Sequence, residues 1–143
     1  MKKLLGLGLA LALFASCSDD DSSSSVNMDN LSGKWYPVST KAGDETFEYE
    51  HESCAKDYLE FAASGVFKTY EVWGCTGSQV SDSDESTGTY SVSGNKVTIA
   101  IDGGTETVTV KKLTSSTLHV TYREDMDEDG EADITVTEIY SRN

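Results

Sequence analysis

The chain is 143 residues long and carries 25 acidic against 11 basic side chains, a formal charge of −14. A field of that sign repels phosphate and anionic headgroups, so it excludes nucleic acid as a natural partner and favours cations. The length suits a single domain, which at this size buries about two-thirds of its unfolded surface around one core.

Lys2 and Lys3 open the chain, an apolar run extends from Leu4 to Phe14, and the small residues Ala15 and Ser16 stand directly before Cys17. That order is a signal peptide. A spanning helix needs about twenty apolar residues, and this run ends sooner, against Ser18, Asp19, Asp20 and Asp21. Phe14-Ala15-Ser16-Cys17 resembles a bacterial lipobox, with Phe14 where leucine is commoner. The resemblance implies loss of residues 1–16 and acylation of Cys17, a stable anchor because each buried methylene contributes about 0.8 kcal/mol. Residues 17–30 are Ser/Asp-rich, carry too little apolar surface to fold, and read as a solvated tether. Their acidic start also resembles the signal by which one lineage of Gram-negative bacteria sends lipoproteins to the outer leaflet of the outer membrane, which implies display at the cell surface.

From residue 31 onward the chain becomes a procession of short alternating segments, and nine strands are predicted. They are Lys34 to Val38, Thr46 to Glu50, Tyr58 to Phe61, Val66 to Trp73, Thr89 to Val92, Lys96 to Ile101, Thr105 to Leu113, Thr117 to Arg123 and Ile134 to Arg142. Each is rich in Val, Ile, Thr, Tyr or Phe with period two, and turns such as Ser93-Gly94-Asn95 and Asp102-Gly103-Gly104 separate neighbours. Short loops make consecutive strands antiparallel partners. The acidic stretch Ser81 to Thr87 is predicted to be a loop, and Pro37 to sit at an edge or closure point, where a missing donor matters least. Val97, Ile99 and Ile101 share one face of their strand, as do Leu118, Val120 and Tyr122. Near the end Ile139 falls out of phase with Val136 while Glu138 and Tyr140 stay in phase, for which a bulge is the simplest account. No helical periodicity follows the signal peptide. One apolar face per strand and no helix to cover it leave a sandwich or a closed barrel.

With Cys17 lipidated, Cys54 and Cys75 remain in an oxidising compartment, and an even remainder predicts one disulfide. Near the C-terminus, Asp125, Asp127 and Asp129 alternate, Gly130 follows, and Glu131 and Asp133 continue the rhythm. This matches the first nine positions of a calcium loop: calcium takes six to eight oxygens, alternate side chains of a turning loop converge, and the Glu131 carbonyl adds another. Position twelve holds Val136 instead of a bidentate glutamate, so the loop is no complete EF-hand. It more closely resembles the short calcium loops of extracellular repeats, and a plain solvated hairpin tip is the alternative. His51 and His119 are the only histidines, no nucleophile–base constellation is visible, and the chain reads as non-enzymatic.

Leu31-Ser32-Gly33-Lys34-Trp35 resembles the Gly-x-Trp signature of the lipocalins, and Tyr140-Ser141-Arg142 resembles the closing segment of the bacterial lipocalin-like domain. The resemblance covers residues 31–143. It implies an all-β, antiparallel up-and-down barrel of eight or nine strands, with Trp35 across the closed end and Arg142 packed on it as a cation–π pair. It also implies a small apolar ligand, with Phe47, Tyr49, Phe61, Phe67, Tyr70 and Trp73 as candidate wall residues. The alternative is a surface scaffold for protein or glycan contacts, stabilised by calcium.

Overall fold

Among the described residues nine strands follow one another where β-branched and aromatic residues alternate with polar ones, a pattern suited to a pleated surface with one buried face. They are β1 (Gly33–Ala42), β2 (Glu45–Glu48), β3 (Tyr58–Phe61), β4 (Val66–Thr76), β5 (Gln79–Ser93), β6 (Lys96–Ile101), β7 (Gly104–Leu113), β8 (Thr117–Glu124) and β9 (Ile134–Ser141). A 3-10 turn, η1 (Met28–Asn30), precedes them. The computed structural model describes residues 26–125, 130 and 132–143.

Neighbours pair antiparallel from β3 through to β9, and β1 closes the ring by pairing with β3 on one edge and β9 on the other. The result is an eight-stranded antiparallel barrel with β2 as an extra strand. β2 pairs with Ser39 to Ala42, on the same edge of β1 that takes β3 through Gly33 to Trp35. Between β2 and β3 the chain leaves the ladder for an excursion, residues 49–57, pinned from several sides. Cys54 and Cys75 form the disulfide that the cysteine count implies, with Cα atoms 5.9 Å apart, which ties the excursion to β4. Buried Asp57 accepts from the Val72 amide at 2.7 Å and from the Tyr49 hydroxyl. His51 places Nε2 3.0 Å from the Pro37 carbonyl and accepts from the Asp57 amide on Nδ1, a pattern that fits the neutral ring. Burial lowers the His51 pKa further from its ordinary value.

Side chains on the inner face fill one end of the barrel. Trp35 is fully buried there, with Phe61, Phe67, Val97, Val110 and Leu118 above it. Its indole Nε1 donates to the Leu31 carbonyl at 2.8 Å, and the Arg142 guanidinium lies 4.0 Å from its ring centroid while donating to the Asn30 carbonyl. Gly33 makes this approach possible. It has φ +117°, and a Cβ there would collide with the Arg142 guanidinium.

Two sequence expectations are corrected. Residues 81–87 are not a loop but the first half of β5, paired with β4 from Val72↔Ser83 to Lys68↔Thr87. Their side chains are mostly exposed and supply no apolar alternation, so the strand is set by its partner rather than by its own composition. Nor is there a bulge in β9, which pairs with β8 without a break from Thr117↔Ser141 to Glu124↔Ile134. The irregularity lies across the ladder in β1, between Pro37 and Ser39, where the proline has no amide to donate. Glu138 stays in phase with Val136 and Tyr140 because it points inward with them.

Candidate ligand-binding cavity

Above the packed end, the barrel encloses a cavity of about 190 Å³. Its floor is apolar, with Phe61, Phe67, Leu118 and Tyr140, and Ile99, Val108 and Val120 form part of the wall. A dry apolar cavity on the order of 150 Å³ already holds benzene, so this one has room for a ring with a short substituent. At its far end the lining includes the exposed residues Asp84 and Asp102, where it meets solvent.

Strand parity decides which side chains reach this space. On β4, Phe67, Thr69 and Glu71 line it, whereas Tyr70 points to the outer face and stacks on Tyr58 at 5.2 Å. Of the six aromatic residues expected in the wall, Phe61 and Phe67 line the cavity, and Phe47, Tyr49, Tyr70 and Trp73 do not. Phe47 lies on β2 and is 39% exposed, Trp73 is 41% exposed, and Tyr49 is engaged with Asp57 in the excursion. Tyr70 belongs to the outer face, which carries its own aromatic row: Tyr36 sets its edge to Tyr58 at 6.3 Å, and Lys34 lies 3.8 Å from the Tyr58 ring.

What the expectation misses is polar. Glu71, Glu106 and Glu138 line the cavity alongside Tyr122 and Tyr140. Glu138 accepts from the Tyr122 hydroxyl at 3.2 Å and from that of Tyr140. Burial raises its pKa, which the two tyrosine hydrogen bonds oppose. Burial also raises Glu106, with Glu138 and Glu124 pushing the same way, and Glu71, with Asp57 and Asp84 adding to it. The signal was phase: Glu71 alternates with Phe67, Glu106 with Val108, and Glu138 with Val136 and Tyr140.

At the β8–β9 hairpin, Asp125 accepts from the Gly130 amide at 2.7 Å, and its other carboxylate oxygen is buried with no hydrogen-bond partner among the described residues. The Asp133 amide donates to the Glu124 carbonyl. The remaining expected calcium ligands, Asp127, Asp129 and Glu131, lie outside the described residues, as does Cys17.

A family model described as a lipocalin-like domain matches residues 31–120. Among solved structures, the fold is similar to a lipocalin-like protein from Bacteroides uniformis, at 17% identity and TM-score 0.57, covering 80% of this chain and 99% of that one. It is also similar to an uncharacterized protein from Bacteroides eggerthii, at 15% identity and TM-score 0.53, covering 78% and 98%. No curated protein sequence matches the chain.

Proposed function

Because the chain belongs to the lipocalin-like domain family, we propose that it is a non-catalytic carrier or sensor that holds a small, largely apolar ligand inside its barrel. The single observation that supports this reading is the cavity of about 190 Å³, apolar at its floor and open to solvent at the acidic end. Titration calorimetry with 4-methylphenol, a compact apolar probe, tests it. Saturable binding is expected for the wild type and its loss in Val108→Phe, which fills the wall. Undiminished binding in a folded Val108→Phe protein places the ligand elsewhere.

In the same reading the protein is anchored to the outer membrane by lipid on Cys17 and displayed at the cell surface, and calcium binds at the hairpin of Asp125 to Asp133. The buried Asp125 oxygen, which has no partner among the described residues, supports the cation. A second reading, a scaffold for protein or glycan contacts, draws on the outer row of Tyr36, Tyr58 and Tyr70 with exposed Trp73 nearby in sequence. Stacked aromatic faces suit sugar rings, and glycan binding lost in Tyr58→Ala but kept in Val108→Phe would favour it over the cavity.

A further inference from the structure

Five carboxylates line the cavity: Glu71 from β4, Asp84 from β5, Asp102 from the β6–β7 turn, Glu106 from β7 and Glu138 from β9. Among the described residues, no Lys, Arg or His side chain lines it. Acids on an exposed face would be ordinary solvated charge, but these converge on a concave space with an apolar floor. Glu138 is stabilised by two tyrosine hydroxyls. Among the described residues Glu106 has no such donor: the charges that act on it are two further acids, Glu138 and Glu124. Carboxylates partly withdrawn from water near one another are costly unless a cation joins them.

Resting on the binding reading above, we infer that the ligand is a small amphiphilic amine whose ammonium group sits among Glu106, Glu138 and Glu71 while its ring or short chain lies on Phe61, Phe67 and Leu118. An ammonium offers three donors and no acceptor, which suits a lining rich in acceptors. A bare metal ion would use the carboxylates but leave the apolar floor without a role. The two halves of the cavity together select a molecule with one charged and one greasy end, of a size set by the 190 Å³ volume. An apolar acid of the same shape meets like charge on several sides and is rejected, so the same lining gives selectivity by repulsion as well as attraction.

Titration calorimetry at neutral pH with 2-phenylethylamine, 2-phenylethanol and 3-phenylpropionate compares three probes of one shape that differ in charge. The amine is expected to bind at least about tenfold tighter than the alcohol, with the carboxylate weakest, a difference within the range of a charge-assisted hydrogen bond. Glu106→Gln should collapse the amine-to-alcohol ratio toward one, and the wild-type comparison decides the matter by itself if that variant fails to fold. Alcohol affinity equal to or above that of the amine overturns the amine and leaves the binding barrel standing. If 4-methylphenol and all three probes fail to bind, the barrel reading falls and the amine with it.

Discussion

Glu106 faces the cavity from β7, paired across the ladder with Ile99. The acids that act on it are Glu138 from β9 and Glu124 from β8, both opposing its ionisation, while Glu71, Asp84 and Asp102 line the same cavity. Burial, then Glu138 and Glu124, raise its pKa above the ordinary 4.5. A raised carboxyl pKa means that the folded state holds the proton more tightly than the unfolded chain. Relative to a neutral side chain it costs nothing below pH 4.5, where both states are protonated; the stability present there is lost as pH climbs through the raised folded value, and a constant penalty remains above. Glu106→Gln removes that penalty. The variant should therefore melt higher than the wild type at pH 8, and the two curves should converge below about pH 4.5. A variant that melts lower across the whole range would show that the carboxylate is held by a favourable partner instead. Phase marks this residue in the sequence, since Glu106 alternates with Val108 and Val110. Its chemistry is hidden because a charged side chain in an alternating segment is ordinarily assigned to solvent.

Among the elements, β6, β7 and β8 are legible because Val97, Ile99, Ile101, Val108, Val110, Leu118 and Val120 repeat at period two and all reach the interior. The first half of β5 is not, since Ser81 to Thr87 have neither β-branched alternation nor a buried face, and only the partner strand β4 holds them extended. The excursion of residues 49–57 is legible only in its disulfide, since His51 and Asp57 serve contacts to Pro37 and Val72 that are distant in sequence. Aromatic type is a poor guide to the cavity wall for the same reason, as Tyr70 and Phe67 share β4 yet face opposite ways. At the β8–β9 hairpin the sequence offers the alternating acids that begin at Asp125. Like charges crowded at a hairpin tip repel, and a divalent cation would turn that repulsion into attraction. Calcium binding to the folded hairpin should raise the melting temperature by mass action, by about 2.7 kcal/mol of added stability at a hundredfold excess over Kd. Scanning calorimetry in calcium and in chelator checks it, and coincident melts remove calcium from the account.

At the level of the whole molecule, the barrel is polarised along its axis. The end at Trp35 is packed and sealed by η1 and Arg142, and the opposite end opens through Asp84 and Asp102. Val26 and Met28 pack against the sealed end, so the chain arriving from the N-terminal side meets the barrel away from the cavity mouth. Cys17 lies a few residues upstream of that junction. A lipid there would hold the sealed end toward the bilayer and turn the acidic mouth toward the surroundings, which also keeps a strongly negative surface away from anionic headgroups. In that arrangement the anchor and the binding site occupy opposite poles and do not compete. Anchoring can then be removed without touching the barrel. Cys17→Ser, expressed from the full chain and followed by fractionation, should leave the membranes for the soluble fraction. Its melting temperature and its affinity for 4-methylphenol should match those of the acylated protein. Retention of the variant with the membranes would mean that something other than an acylated cysteine holds it there, and the polar arrangement of anchor and mouth would lose its basis.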